Sequence, residues 1–300
     1  MQITEGSVKY NIEKNPRRVR DDSAMQQPQS ATTLRSFKSG VFAMTLELMS
    51  KNWAQFAEKL RQNGYALFQA ASPKLLVTDK RAADPNIIAA TLLCRSLTHI
   101  KAVPILLKEG LVVEARTIVR NCLENAFWLA AIAEPDKRDD ALRRMGDAEL
   151  FTRHQIGEFA MQLRSEHDAE DNEALREAMR KFKGQKGSSG PTPKELAKLG
   201  QFKSTYLFYQ EYSRDAHPTL YSLERYLSRI VEDGEVVKCL DTFPPARDGD
   251  QFTIQHGCQA VLSAMFAAND IWGAGEAARL TQLGNEYSSL VGLDIPLEAV

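Results

Sequence analysis

The fold is decided by residues 85–133, which read PNIIAATLLCRSLTHIKAVPILLKEGLVVEARTIVRNCLENAFWLAAIA. Apolar residues recur at helical spacing on both sides of Glu109-Gly110, and Glu134-Pro135 follows the second run. Glycine is favoured just past a helix end, and the residue before a proline disfavours helical backbone. We therefore predict helices over 85–108 and 111–133. A turn this short makes them neighbours that run in opposite directions, an antiparallel helical hairpin.

Two further amphipathic helices are predicted on either side of this hairpin. The first spans about 38–63 and ends at Asn63-Gly64, and the second spans 136–165. The apolar residues expected to face inward are Phe42, Leu46, Met49, Trp53, Phe56 and Leu60 on the first helix and Leu142, Met145, Ile156, Phe159 and Leu163 on the second.

The rest of the chain completes a single helical domain over residues 37–300. Residues 1–36 lack an apolar period and are predicted to be a mobile arm, and the Gly- and Ser-rich run at 184–193 a flexible linker. Alternation around Asp233-Gly234 predicts a β-hairpin near 226–243, and two helices follow at about 249–273 and 275–290. The predicted class is all-α: an irregular multi-helix bundle around the central hairpin, with one small β-hairpin insertion.

Composition narrows the function classes. The net charge of −1 gives no strong signal for nucleic acid or an anionic membrane. The N-terminus has no secretory apolar region, and the most apolar stretch, residues 125–133, is too short to span a bilayer. The four cysteines form no C-x-x-C pair and are expected to be reduced core thiols. These observations predict a soluble, cytoplasmic protein.

Polar residues interrupt the apolar faces of the central hairpin. Arg120 and Glu124 fall among Val113, Leu123, Phe127 and Ala131 on the second helix, with Glu114, Asn121 and Asn125 on the opposite side. Arg95 and His99 interrupt the first helix in the same way. Counted from Gly110, Arg95 matches Glu124 and His99 matches Arg120, so we expect an ion pair between Arg95 and Glu124. The excess positive charge requires another carboxylate, a ligand or solvent.

Three interpretations of this cluster stay open. It is a buried ion-pair network that fixes the register of the helices, an anion-binding or catalytic pocket, or a surface that docks a partner.

A second cluster lies in the segment YLFYQEYSRDAHPT, residues 206–219. On a helix, Tyr209, Ser213 and His217 share one face, and Pro218 ends the helix. These residues form a helix cap with aromatic packing, or they complete the arginine pocket. We hypothesise the second: that His217 and Tyr209 lie near Arg120 and Glu124.

Familiar catalytic and cofactor motifs are missing from the sequence. It has no H-E-x-x-H zinc motif, phosphate-binding glycine loop, dinucleotide fingerprint or G-x-S-x-G elbow. His154 and Glu158 stand at i,i+4, which is commoner on a solvated face than at a metal. No cofactor and no metal is expected.

The helix around Arg120 and Glu124, together with YQEYSRDAHPT, resembles domain-of-unknown-function family 5677 over about residues 85–220. The resemblance implies a helical fold and an intracellular bacterial protein, with no established activity. The matching positions are Arg120, Glu124, Tyr209, Ser213 and His217. Ribonucleases of the HEPN type have four to six residues between an arginine and a histidine, whereas Arg95 and His99 have three residues between them and Arg214 and His217 have two.

The expected function is therefore a binding or regulatory protein with a polar pocket formed by Arg95, His99, Arg120, Glu124, Tyr209, Ser213 and His217. The alternative is an enzyme acting on an anionic substrate, such as a phosphodiesterase or a ribonuclease-like toxin or defence component. In that enzyme, His217 or His99 would serve as acid or base, with Arg120 and Glu124 as further catalytic candidates. The sequence leaves the partner open, a homo-oligomer included.

Overall fold

The computed structural model describes residues 52–77, 83–163, 189–200, 203–232, 235–240 and 249–292, together with positions 79, 177 and 247. The predicted arm at 1–36 and most of the predicted linker at 184–193 lie outside the described residues. The predicted all-α class is confirmed. The helices are α1 (52–71), α2 (Pro85–Lys108), α3 (Val112–Ala133), α4 (Arg138–Leu163), α5 (Pro193–Leu199), α6 (Tyr206–Ala216), α7 (Leu220–Glu224), α8 (Thr253–Trp272) and α9 (Ala277–Val291).

Two strands accompany the helices. The strands β1 (Leu227–Glu232) and β2 (Glu235–Leu240) pair antiparallel, with Leu227 opposite Leu240 and Glu232 opposite Glu235. They fall within 226–243, where the sequence alternates between apolar and polar residues.

Helix α3 lies at the centre of the fold and packs against α2, α8, α6, α5 and α4. Gly110 takes the left-handed backbone between α2 and α3, with a φ of 75°. The amide of Asn125 donates to the hydroxyl of Ser96 over 3.1 Å, and these residues lie 15 positions after and 14 positions before Gly110. The two helices therefore run side by side in opposite directions. The buried residues of α3 include Leu123 and Phe127, both 1% exposed.

Helix α2 has an apolar composition that the sequence analysis underestimated. An 18-residue window of Pro85–Lys108 has a mean hydropathy of 1.3, so this helix is long and apolar enough to cross a membrane by length and composition. Core helices of soluble proteins share those properties but are mostly buried, whereas 28% of this window is buried in the fold. Leu93, Leu97 and Ile100 are fully buried, and α2 packs against α3 and α8.

The predicted end of the first helix at Asn63-Gly64 is wrong, because α1 continues to residue 71. Gly64 lies against α2: a Cβ at this position would stand 2.6 Å from Cδ1 of Leu97. The glycine thus allows two helices to approach closely. The side chain of Asn63 donates to the carbonyl of Lys59 and accepts from Arg279.

The inward face predicted for α4 is correct only near its start. Leu142 and Met145 pack against the core, but Ile156 is 63% exposed and Phe159 59% exposed among the described residues. The side chain of Leu163 lies outside the described set. The apolar period of the sequence continues beyond the part of the helix that α3 covers.

The cysteine prediction holds for two thiols and fails for one. Cys122 and Cys258 are buried and free, and burial raises the pKa of the Cys122 thiol to about 12. Cys94 is also free but exposed, because it lies on the side of α2 away from the core.

Candidate functional site

A cleft of about 370 Å³ opens between α2, α3 and α4. Helix α3 supplies its base, because residues three and four apart lie on one side of a helix. The lining residues are Arg120, Asn121, Glu124, Asn125 and Trp128 from α3, Leu92 and Arg95 from α2, and Met145 and Ala148 from α4. The cleft therefore combines two guanidinium groups, a carboxylate and an aromatic ring.

The guanidinium of Arg120 is held from two helices. It donates to the Tyr209 hydroxyl over 2.7 Å and to the Ser213 hydroxyl over 3.3 Å, both on α6. It also donates to Oδ1 of Asn121 and forms an ion pair with Glu124, each over 3.0 Å. The structure thus brings four predicted site residues together, with the Arg120 guanidinium 5.0 Å from the centre of the Tyr209 ring.

The environment of Tyr209 follows from this arrangement. Burial raises the pKa of Tyr209 above its ordinary value, and the charge of Glu124 adds to this effect, while Arg120 acts in the opposite direction. The neutral hydroxyl is therefore the form that accepts from Arg120. Tyr209 is a fixed positioning group for the guanidinium.

The predicted ion pair between Arg95 and Glu124 is wrong. Glu124 pairs with Arg120 one turn away on its own helix, and Arg95 is exposed and forms no ion pair with any described residue. The residues that meet across the two helices are Ser96 and Asn125, each one position further along the chain. One position turns a side chain by about 100° around a helix, so Arg95 and Glu124 lie beside this contact, in the cleft.

The two candidate histidines lie outside the lining of the cleft. His99 is half-buried, and its Nδ1 is buried without a hydrogen-bond partner among the described residues. Burial lowers the pKa of His99, and the charge of Arg95 lowers it further. His217 is exposed where α6 ends, with φ −119° and ψ 150°, and its carbonyl accepts from the hydroxyl of Ser222.

The structure contains a buried arginine–aspartate network that the sequence analysis missed. It consists of Arg116, Asp215, Arg225 and Asp250, whose side chains are at most 5% exposed. Asp215 accepts from Nε of both arginines, over 2.8 Å from Arg225. Asp250 accepts from Arg225 over 2.8 and 3.1 Å and from Arg116 over 3.2 Å. Two positive and two negative charges balance, so this network ties helices together and leaves no charge for a ligand.

Further contacts extend the network towards the surface. Arg116 also pairs with Glu211 over 3.1 Å, and Glu211 accepts from the Tyr221 hydroxyl over 3.0 Å. The guanidinium of Arg116 lies 4.6 Å from the centre of the Tyr212 ring. The sequence contained a signal for this network, since two of its charged residues lie beside predicted site residues. Arg116 lies one turn before Arg120, and Asp215 lies in the segment 206–219 that also contains His217.

An aromatic group containing His256 lies next to the network. The rings of Phe208 and His256 stack with centroids 3.8 Å apart, and Nδ1 of His256 lies 2.5 Å from the Tyr212 hydroxyl. Burial lowers the pKa of His256 to about 4, with a further contribution from the charge of Arg116. His256 is therefore neutral near pH 7 and has a packing role.

No group of three or more histidine, cysteine, aspartate or glutamate residues in the described part of the chain is arranged to hold a metal ion. The Nε2 of His154 lies 2.9 Å from a carboxylate oxygen of Glu158, as expected for an i,i+4 pair. This pair has no third ligand among the described residues.

The chain belongs to a family of unknown function, DUF5677, whose model matches residues 86–236. The match begins at the start of α2 and ends inside β2, so it contains both helices that carry Arg95 and Arg120 and the α6 helix that holds Arg120. No curated protein and no solved structure matches the chain. The family assigns no activity to the cleft.

Proposed function

We propose that this protein binds a small anionic molecule in the cleft between α2, α3 and α4. The observation that carries the proposal is the state of Arg95: an exposed guanidinium that lines the cleft and forms no ion pair with any described residue. Glu124 neutralises Arg120, and no other acidic residue lines the cleft in the part of the chain that the structure describes. The cleft thus carries one uncompensated positive charge, which an anion would neutralise.

The second support is the fixed position of Arg120. Four side-chain partners on two helices orient its guanidinium before any ligand arrives, which reduces the entropy lost on binding. Arg120 and Arg95 reach the same cleft from different helices.

Binding is favoured over catalysis by the composition of the cleft. Among the described lining residues, Glu124 is the one side chain of a type that commonly serves as a general acid or base, and it is engaged by Arg120. The histidines that would have served an enzyme, His99 and His217, are not among the lining residues. We propose a cytoplasmic location on the basis of the free thiols of Cys94, Cys122 and Cys258, since such thiols are typical of reducing compartments.

The test is a melting experiment with inorganic phosphate and with acetate. An anion at 100 times its Kd stabilises a folded protein by about 2.7 kcal/mol, which raises the Tm of a domain of this size by about 5–11 °C. The Arg95→Ala protein should fold like the wild type, because Arg95 is exposed, and should lose this response.

Lys101→Ala is the matched control. It removes one positive charge from an exposed position on the same helix, outside the cleft lining. The response of this variant should equal that of the wild type. Equal responses of Arg95→Ala and Lys101→Ala would mean non-specific salt effects, and a wild-type Tm insensitive to both anions would refute the proposal.

A further inference from the structure

The cleft changes from charged to apolar along its length. Arg120 and Trp128 lie eight residues apart on α3, which is about 12 Å at 1.5 Å per residue. Because Ser96 meets Asn125 and the helices run in opposite directions, Leu92 is level with residue 129, beside Trp128, while Arg95 is level with residue 126, midway between Glu124 and Trp128. Trp128 and Leu92 thus lie at one end of the cleft and Arg120 at the other, and Arg95 lies between them, nearer to Trp128.

The apolar end is suited to a flat ring. Trp128 is partly buried and offers an indole surface to the cleft, and Leu92 and Met145 form the neighbouring walls. Aromatic rings stack on indole, and a thioether makes favourable contacts with ring edges. The other two tryptophans of the chain, Trp53 and Trp272, are 3% and 0% exposed and belong to the core.

Next to this apolar end, the cleft is suited to one anionic group. Arg95 supplies the free guanidinium, which binds a carboxylate or a phosphate through two parallel hydrogen bonds. Among the described residues, the hydrogen bonds of the Asn121 side chain involve its Oδ1, which accepts from Arg120. Its amide NH₂ remains as a second donor to an anion in the cleft.

We infer that the ligand is a planar aromatic molecule with a single anionic group, its ring against Trp128 and its anion on Arg95. This inference rests on the proposed function and narrows it to a ligand class. The volume of about 370 Å³ is within the range of pockets that hold ligands of this size. The anionic group is a phosphate ester or a carboxylate, since both present the same pair of acceptor oxygens to arginine.

The experiment measures Kd by titration calorimetry for three pairs of probes. Adenosine 5′-monophosphate and indole-3-acetate carry a ring and an anion, inorganic phosphate and acetate carry the anion alone, and adenosine and indole carry the ring alone. For the wild type, each ring-bearing anion should bind at least about tenfold more tightly than its bare anion, the gain expected of one stacked ring. Uncharged rings should bind more weakly than either ring-bearing anion.

Substitutions at two positions separate the contributions of the ring and the anion. Trp128→Leu should abolish the preference for ring-bearing anions while it preserves phosphate binding, and Trp128→Phe should restore most of that preference. Arg95→Ala should weaken all four anions. Tyr65→Leu is the matched control, because it removes a 46% exposed aromatic ring on α1 that does not line the cleft.

The outcomes distinguish this inference from the proposed function. Equal Kd values for ring-bearing and bare anions, or an unchanged preference in Trp128→Leu, would refute the inference that a ligand ring lies against Trp128. The proposed binding of an anion would be unaffected by either result. Failure of every probe, or equal binding of charged and uncharged rings, would overturn both. A preference for one ring-bearing anion supports the inference, and the same preference between inorganic phosphate and acetate identifies the anionic group as phosphate or carboxylate.

Discussion

Asp215 lies between two buried arginines, and its replacement by alanine is expected to destabilise the fold more than any surface substitution. Its side chain is fully buried and accepts one hydrogen bond from Arg116 and one from Arg225. Alanine removes both acceptors and the negative charge. The two guanidinium groups then share Asp250 as their remaining buried carboxylate, and the other carboxylate partner of Arg116 is Glu211, whose side chain is 43% exposed.

The magnitude follows from the burial of these side chains. Removing one partner of a buried ion pair costs about 3 to 5 kcal/mol. A domain of this size loses about 2 to 4 °C of Tm per kcal/mol, so the expected decrease is roughly 6 to 20 °C. The assay is thermal unfolding followed by circular dichroism, with urea unfolding to obtain the free energy directly.

Asp140→Ala is the matched control, because Asp140 pairs with Arg143 on α4 with both side chains at least half exposed. Its Tm should stay close to that of the wild type. Adding Arg116→Met to Asp215→Ala should recover part of the loss, since the remaining Arg225 and Asp250 then balance in charge. A Tm of Asp215→Ala equal to that of Asp140→Ala would refute the reasoning, and so would a double variant less stable than the single one.

Two further results are expected. Gly200→Ala should destabilise the protein by about 1 to 3 kcal/mol in urea unfolding, because the added Cβ would lie 2.5 Å from the Cβ of Ala130. Gly146→Ala should instead stabilise the protein by about 0.4 to 1 kcal/mol, because a Cβ at this position meets no atom within 4 Å. Since the pKa of His256 is lowered to about 4, its contribution to stability is complete above the unfolded pKa of about 6.5 and is lost as the pH falls towards 4. His256→Phe should therefore show a smaller loss of unfolding free energy between pH 6.5 and 4 than the wild type, and equal pH profiles would show that His256 is not protected from protonation.

Local sequence signals predicted the helices of the core well. The turn at Gly110 and the proline after Glu134 place the ends of α2 and α3 within one residue of those observed. The capped helix at 193–199 also carries its signal locally, since Thr192 and Glu195 form a reciprocal capping box. Such signals act within a few residues, and tertiary packing does not change them.

The burial of single side chains was harder to predict. The helical wheel of α3 placed Asn125 on the polar side, yet Asn125 is 3% exposed. The wheel assumes that one side of a helix faces water, and α3 is covered by α2, α8, α6, α5 and α4. Arg116 was also overlooked, because its partner Asp250 lies 134 residues further along the chain and no local pattern connects them.

The predictions for the candidate site were likewise correct for some residues and wrong for others. The expected meeting of Arg120 with Tyr209 and Ser213 came from an argument about charge, and the structure places these side chains in contact. His217 was included because it shares a helical face with them, but the chain leaves the helix at that residue. Arg95 was predicted to pair with Glu124 because the two residues are about equally far from the turn. The direction in which each side chain leaves its helix also matters, and Glu124 pairs with Arg120 on its own helix instead.

The end of the family match has a consequence for anyone who would isolate this module. Residues 86–236 contain Arg116, Asp215 and Arg225, but Asp250 and the whole of α8 follow later in the chain. A fragment cut at 236 would lose a carboxylate that both arginines require and would expose to water the sides of α2 and α3 that α8 covers. The segment by which relatives are recognised is thus shorter than the segment that completes the buried network and covers α2 and α3.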